Sequence, residues 1–251
     1  MLAAERREML LSRLRSDGKV VAKDVAAELD ISGDSIRRDL REMAADGLCQ
    51  RVYGGALPAS PAVADYATRT GVEPASKQRI AAFVAGLVEP GSTVLLDGGT
   101  TTLAVARALP PDLRCTVITH SPTIACALVE NPSVEVHLIG GRLFKHSAVT
   151  CGAAAVEAAQ LISADTFFLG VTAVHPDYGL TTGDPDEAAM KRALAARAAE
   201  THVLASVEKI GAVSAHQVMP LVDVASVITD AADSHMTRAL VERGVRLQQV
   251  R

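Results

Sequence analysis

The chain has 251 residues, of which 49% are hydrophobic and 22% are charged, and its net charge at pH 7 is −4. This hydrophobic content is enough to form a packed core, which argues against a disordered chain. Aromatic residues make up only 3% of the chain, and Trp is absent. Proteins that bind single-stranded nucleic acids stack the bases on aromatic side chains, so the composition disfavours that class.

The cysteines are widely spaced and form no C-x-x-C pair; they are Cys49, Cys115, Cys126 and Cys151. We therefore expect buried thiols rather than a disulfide framework or a zinc site, and we predict no metal ion and no other cofactor. The charged N-terminal segment is unlike a secretory signal, and no apolar run is long enough to cross a membrane. We expect a cytoplasmic protein that does not bind membranes.

The N-terminal segment has the pattern of three short helices. Apolar residues repeat at helical spacing within 4–16, 21–29 and 34–47. A tight turn joins the last two helices, which is the layout of a helix-turn-helix motif. We place this motif at about 20–39 within a DNA-binding domain of residues 3–58. A Gly-Gly turn in the segment that follows predicts a hairpin wing.

The third of these helices has a basic outward face. When Ile36, Leu40 and Met43 face the core, the polar residues of the first turns face solvent. Arginine binds phosphate or guanine in the major groove, and a helix N-terminus attracts phosphate. The predicted DNA-binding residues are therefore Ser32, Ser35, Arg37, Arg38 and Arg41 on the helix, and Arg51 and Tyr53 on the wing. The alternative is a solvated helix whose arginines pair with Asp39, Glu42 and Asp46.

The N-terminal sequence resembles the signature of the DeoR family of bacterial transcriptional regulators, in the segment ISGDSIRRDLREMAADGLCQRVYGGA. The matching positions are Ser32, Ile36, Arg37, Arg38, Asp39, Leu40, Gly47, Arg51, Gly54, Gly55 and Ala56. The resemblance implies a winged helix-turn-helix that binds double-stranded operator DNA. The pair Gly33-Asp34 at the helix entry departs from the family pattern.

Residues 59–75 are rich in Pro and small residues and are predicted to be a linker. Beyond it, short apolar strands alternate with helical patterns. The predicted strands are 93–96, 116–119, 134–139, 166–169, 202–205 and 224–229, with an edge strand at 245–250. The predicted helices are 76–88, 100–109, 122–130, 152–162, 185–200 and 233–242. This alternation predicts an α/β domain over 76–251, with a mainly parallel sheet covered on both faces.

One loop in this domain has the composition of an anion site. A strand ends at Asp97, Gly98-Gly99 allow a tight turn, and Thr100, Thr101 and Thr102 begin a helix. Such a loop offers backbone N–H groups, hydroxyls and a helix dipole to a phosphate. The sequence lacks the lysine of a Walker motif and the spacing of a dinucleotide-binding loop. The alternative is a simple strand-to-helix turn capped by threonine.

Polar residues also follow other strands. They are His120 and Ser121, Gly141 and Arg142, Gly170, and Lys209. The carboxyl ends of parallel strands meet at one edge of a sheet, so we expect these residues to line one crevice with the threonine loop and to bind an effector. By contrast, Lys191 and Arg192 are predicted to lie on a solvated helix face.

The C-terminal sequence also resembles the DeoR family's effector domain. The matching segments are Asp97-Gly98-Gly99-Thr100-Thr101, Thr119-His120-Ser121, Ile139-Gly140-Gly141 and Thr150-Cys151-Gly152. The resemblance implies a fold similar to sugar phosphate isomerases and a phosphorylated sugar or polyol as effector. The sequence departs from the family pattern at His120, Ser206 and Ile210. Two of these positions, His120 and Ser206, would lie among ligand-facing residues.

Taken together, these features predict a repressor of a carbohydrate or polyol catabolic operon that a phosphorylated metabolite releases from DNA. Palindromic operators require at least two copies, so we expect a homodimer or a homotetramer. The alternative is a sugar phosphate isomerase or deaminase-like enzyme with an appended helical module. The sequence contains no recognisable catalytic acid–base pair, so we assign no catalytic residue and predict that the chain is not an enzyme.

Overall fold

The computed structural model describes residues 2–251. Its N-terminal unit contains α1 (Ala3–Asp17), β1 (Val20–Val21), α2 (Ala22–Glu28), α3 (Gly33–Ala45), β2 (Cys49–Val52) and β3 (Gly55–Pro58). The apolar stripes of the three helices meet in a core that includes Leu10, Ile36 and Met43. A helix-turn-helix with a β-hairpin wing is therefore confirmed as the fold of this unit.

The short strand β1 extends the predicted wing into a three-stranded sheet. It pairs antiparallel with β3, with Val20 opposite Ala56 and Val21 opposite Gly55. The approach is so close that a Cβ atom on Gly55 would lie 1.8 Å from the Val20 carbonyl oxygen. This close approach explains why glycine stands at the second position of the Gly-Gly turn.

The segment between the two units is more ordered than the predicted linker. It contains a 3-10 turn (Pro61–Val63) and a short helix, α4 (Tyr66–Thr70), before α5 (Pro74–Ala85) begins the C-terminal unit. We call residues 59–73 the connector. Ser60 is buried in it and donates a hydrogen bond to the carbonyl oxygen of Thr172, with an O–O distance of 2.6 Å. The connector is thus packed on the C-terminal unit.

The C-terminal unit contains a sheet of seven parallel strands. The strands of the whole unit, in chain order, are β4 (Thr93–Leu96), β5 (Cys115–Thr119), β6 (Val134–Leu138), β7 (Arg142–Phe144), β8 (Val149–Cys151), β9 (Ala164–Gly170), β10 (Ala173–His175), β11 (Gly179–Thr182), β12 (Ala198–Leu204), β13 (His216–Met219), β14 (Ser226–Thr229) and β15 (Leu247–Gln249). The spatial order of the seven is β15-β14-β12-β9-β4-β5-β6.

Helices cover both faces of this sheet, as the continuous apolar strands predict. After α5 they are α6 (Thr100–Ala108), α7 (Pro122–Leu128), α8 (Ala153–Gln160), α9 (Pro185–Ala195) and α10 (His235–Glu242). Successive side chains of a strand pack into the hydrophobic cores on opposite faces of the sheet. Val94 and Phe168 pack on one face, and Leu95 and Phe167 pack on the other. The predicted α/β fold class is confirmed.

Several details differ from the sequence-based expectation. The helix predicted to run to residue 200 ends at Ala195, because residues from Ala198 onwards pair with β9 in parallel register. The predicted set of strands also lacked the β7–β8 hairpin and the antiparallel sheet β10-β11-β13, whose strands have only three or four residues. Cys126 is exposed, whereas the other three cysteines are buried as expected. No helix within residues 2–251 combines the length and apolarity needed to cross a membrane.

Candidate functional site

The outward face of α3 is built from its first turns. Ser32 caps the helix, and its hydroxyl oxygen accepts a hydrogen bond from the backbone N–H of Ser35. The side chains of Arg37, Arg38 and Arg41 are exposed, while the apolar face of the helix is buried. On the wing, Arg51 is exposed and Tyr53 projects fully into solvent. The predicted DNA-binding residues therefore lie on or near the exposed surface of one unit.

The acidic residues of α3 are largely engaged by α1 rather than by the arginines of α3. Arg6 forms a buried ion pair with Asp39, and Arg7 pairs with Glu42. Within α3 itself, Arg37 donates to Asp34 at 2.7 Å, with both side chains exposed. Among the described residues, Arg38 and Arg41 form no ion pair of this kind. This arrangement argues against the alternative in which the α3 arginines are neutralised by Asp39, Glu42 and Asp46.

A cavity of about 330 Å³ lies at the carboxyl ends of the central strands. Seven of the predicted effector-binding residues line it: Gly98, Gly99, Thr100, Thr101, Thr102, Gly170 and Lys209. The rest of its wall comes from the N-terminal unit, the connector and further residues of the C-terminal unit. Its volume is in the usual range for small-molecule sites.

The threonine loop is shaped by the packing beneath it. A Cβ atom on Gly98 would lie 2.0 Å from a methyl carbon of Val149, so the loop can pass there only as glycine. At Gly99 the chain turns into α6, and the Thr102 hydroxyl donates to the Gly99 carbonyl oxygen at 3.0 Å. The Thr101 hydroxyl is buried and has no hydrogen-bond partner among the described residues. A buried hydroxyl without a partner at a helix N-terminus is a candidate ligand contact.

A buried charged network supports this loop from below. Asp97 accepts hydrogen bonds from Lys191 and from the backbone N–H of Gly170, and its other oxygen lies 2.8 Å from Nε2 of His120. The Nδ1 atom of His120 lies 2.8 Å from the Thr150 carbonyl oxygen. Burial tends to raise the pKa of Asp97, but the Lys191 ammonium and the bond with His120 outweigh this effect and lower it.

Several residues in and around this network lie in positions that differ from the sequence-based prediction. Asp97, His120 and Ser121 are fully buried and are not among the residues that line the cavity; they support the threonine loop from beneath. The prediction that Lys191 lies on a solvated helix face is wrong. Lys191 is buried because its ammonium forms an ion pair with the buried Asp97 carboxylate. Arg192 is exposed as predicted.

Three further expected positions lie away from the cavity. Gly141 and Arg142 are exposed at the start of the β7–β8 hairpin, and Arg142 pairs with Asp186 at 2.7 Å. Ser206 is fully buried, and its hydroxyl donates to Oε1 of Glu208 at 2.6 Å. These residues follow strands as predicted, but they are not among the residues that line the cavity.

The cavity instead contains basic residues that the sequence analysis missed. Arg69 of α4 has two buried guanidinium nitrogens, Nε and Nη2, without hydrogen-bond partners among the described residues. Burial lowers its pKa, although three nearby carboxylates oppose this shift. Lys77 of α5 donates to the carbonyl oxygens of Arg69 and Val72 and holds α4 in place. Both residues lie in or near the predicted linker, where isolated basic residues form no recognisable motif.

Lys209 reaches the same cavity from the end of β12. It is 7% exposed, and burial lowers its pKa to about 8, an effect to which the neighbouring positive charges of Arg69, Lys77 and Lys191 add. The carboxylates of Glu187 and Glu208 also line the cavity, and Oε2 of Glu208 has no hydrogen-bond partner among the described residues. The cavity therefore offers cationic donors for an anion and carboxylate acceptors for hydroxyl groups. Residues 2–251 hold no cluster of three or more side chains suited to a metal ion.

Comparison with family models assigns both units. Residues 72–231 match the DeoR C terminal sensor domain, and residues 6–61 match the DeoR-like helix-turn-helix domain. The chain belongs to the DeoR family. Among its relatives, the HTH-type transcriptional regulator GlpR of Haloferax volcanii is 34% identical, and the alignment covers 96% of this chain and 95% of that protein. The HTH-type transcriptional repressor GlcR of Bacillus subtilis is 28% identical, with coverage of 98% and 96%.

A solved structure of ribose 5-phosphate isomerase A from Methanocaldococcus jannaschii has a TM-score of 0.39 and 17% identity, over 53% of this chain and 52% of that one. The much closer DeoR relatives are named as transcriptional regulators and not as enzymes. The chain is therefore a DNA-binding transcriptional regulator of the DeoR family, and the alternative of a sugar phosphate isomerase or deaminase-like enzyme is not supported.

Proposed function

We propose that this DeoR regulator represses a carbohydrate or polyol catabolic operon and leaves its operator when a phosphorylated sugar or polyol binds in the cavity. The helix α3 and the wing would contact the DNA through Ser32, Ser35, Arg37, Arg38, Arg41, Arg51 and Tyr53. A homodimer or homotetramer would present two such surfaces to a palindromic operator.

The observation that carries the effector proposal is the unpartnered guanidinium of Arg69 beside the threonine loop. Buried donors without partners are rare in proteins, and a phosphate would satisfy both nitrogens and the free N–H groups of α6 together. The carboxylates of Glu187 and Glu208 would then accept hydrogen bonds from sugar or polyol hydroxyls. Positive and negative groups in one cavity favour a ligand with a phosphate at one end and hydroxyls at the other.

A mobility-shift measurement tests the proposed function. The full chain is mixed with its own promoter region, with and without a panel of sugar and polyol phosphates and their unphosphorylated counterparts. We expect promoter binding at moderate salt that a phosphorylated compound abolishes and its unphosphorylated counterpart does not. Absence of promoter binding, or release by the unphosphorylated compound alone, would contradict the proposal.

The substitution Arg69→Leu is expected to weaken the effector response by about 10- to 150-fold in effector concentration, since hydrogen bonds to charged groups contribute about 1.5–3 kcal/mol. Operator binding without effector should stay at the wild-type level, because Arg69 belongs to α4 and is not one of the residues proposed to contact DNA. The matched control is Arg107→Leu, which removes an exposed arginine of the same unit outside this cavity. An unchanged effector response in Arg69→Leu would refute the assigned phosphate contact.

Effector affinity is expected to fall as the pH rises above about 8, the pKa of Lys209 in the free protein. A phosphate favours the protonated amine, and one pH unit above this pKa only about a tenth of the lysine is protonated, so the affinity loss approaches about tenfold there. Titration calorimetry between neutral and alkaline pH measures this loss. The variant Lys209→Arg keeps the charge at every pH used and should flatten the profile. An equally steep profile in that variant would rule out Lys209 as the titrating group.

A further inference from the structure

The N-terminal unit forms part of the wall of the effector cavity. Ala44 of α3, Gly47 just after this helix, and Cys49 and Gln50 of β2 line it together with the threonine loop. At its other end the same helix is capped by Ser32, on the surface that we propose to contact DNA. One rigid helix of 13 residues thus runs from the proposed DNA contact to the cavity wall.

The connector fastens the N-terminal unit to the rim of this cavity. The backbone N–H of Val213 donates to the Pro58 carbonyl oxygen at 3.4 Å, and the buried Ser60 hydroxyl donates to Thr172, which itself lines the cavity. The 3-10 turn Pro61–Val63 packs against the turn that carries Lys209. The connector therefore links the N-terminal unit directly to residues at the rim of the cavity.

From this geometry we infer that the effector binds between the two units, with the end of α3 and Gln50 as direct parts of the binding site. The inference rests on the proposed function and extends it to regulation. A ligand that contacts both units stabilises the arrangement in which the N-terminal unit lies against the cavity. It thereby fixes the orientation of α3, and the free energy of this differential binding is what opposes operator binding.

The 330 Å³ cavity is lined by residues of both units. The cations Arg69 and Lys209 lie on the connector and on the C-terminal unit, so the phosphate belongs on that side. The far end of the ligand then meets the wall of the N-terminal unit. Gln50 is half-buried there, and its carboxamide is able both to donate hydrogen bonds to hydroxyl groups and to accept them. Gln50 is thus the side chain of the N-terminal unit best suited to distinguish ligands that share a phosphate.

Hydrogen exchange on the full chain tests the inference, with inorganic phosphate, glycerol 3-phosphate and glucose 6-phosphate as probes. We expect a bound phosphosugar or polyol phosphate to slow exchange in two segments, residues 98–102 and residues 44–50. Protection of 98–102 with unchanged or faster exchange at 44–50 would overturn the inference and leave the proposed effector class intact. No protection in either segment by any probe would refute the effector class and the inference together.

A pair of variants gives an independent test. Gln50→Glu places a carboxylate on the cavity wall and is expected to weaken binding of the protective probe at least about fivefold by charge repulsion. Leu48→Glu introduces the same charge at a position that is exposed and does not line the cavity, and it should bind the probe like wild type. Equal affinities for Gln50→Glu, Leu48→Glu and wild type would place the ligand entirely on the C-terminal unit and overturn the inference.

Discussion

Replacing Lys191 with Met is expected to lower the free energy of unfolding by about 3–5 kcal/mol, since removal of one partner leaves a buried charge uncompensated. The side chain of Met has nearly the length of Lys, so the volume of the core changes little. The variant lacks the ammonium group beside Asp97, whose carboxylate is fully buried at the end of β4. Urea denaturation of the full chain, followed by circular dichroism, measures the difference.

A double-variant cycle separates the charge effect from packing. Asp97→Asn alone leaves Lys191 buried without a carboxylate and should also destabilise the fold. Combining Asp97→Asn with Lys191→Met removes both charges, and the double variant should be more stable than the sum of the two single losses predicts. Strict additivity of the two losses would indicate that the ion pair contributes nothing and that the packing alone matters.

The loss of unfolding free energy in Lys191→Met is expected to depend on pH because of the pKa of Asp97. In wild type this pKa is lowered, so the stability it contributes is present above the unfolded value of 3.8 and is lost as the pH falls below it. Without Lys191, a group that lowers the pKa of Asp97 is lost while burial still raises it, so this pKa is higher in the variant than in wild type and the carboxylate takes up a proton at higher pH. The difference between wild type and variant should therefore be largest near neutral pH and shrink on acidification.

The sequence predicts those parts of the structure that depend on contiguous sequence patterns. The helix-turn-helix, the wing and the threonine loop are contiguous patterns, and the structure has each of them where the sequence indicates. Apolar runs likewise predict the seven parallel strands and the covering of both faces. The prediction of a helix extending to residue 200 is wrong, because the Ala-rich segment from Ala198 onwards forms a strand that pairs with β9.

The cavity depends on residues that only the fold brings together. Lys209 follows a strand and is therefore predicted to line the crevice, but Arg69, 140 positions earlier, stands in no motif that indicates a ligand site. In the same way, the burial of Lys191 is a consequence of Asp97, which lies 94 positions earlier. A lysine followed by an arginine on a helix normally indicates a solvated face, and only the buried carboxylate makes this lysine an exception.

The substitution Arg38→Ala is expected to weaken operator binding by about 5- to 150-fold, the equivalent of about 1–3 kcal/mol for an arginine that contacts a base. Arg38 is exposed on α3 and has no ion-pair partner among the described residues, unlike Arg37, which donates to Asp34. The fold should be unaffected, because the core of the N-terminal unit is formed by the opposite face of the helix. Effector affinity should also be unchanged.

Salt dependence distinguishes the two ways in which Arg38 can bind DNA. If Arg38 binds a base, the variant has a lower affinity for the operator but keeps the slope of log affinity against log salt. If it binds a phosphate, the variant binds all sequences more weakly and the slope falls by about one unit, because one fewer phosphate is neutralised. Arg246→Ala is the matched control, since it removes an exposed arginine of the C-terminal unit and should leave both quantities at their wild-type values. Wild-type operator affinity of Arg38→Ala at every salt concentration would mean that α3 does not use this arginine to bind DNA, and the assignment of the recognition surface would then have to move to another face of the N-terminal unit.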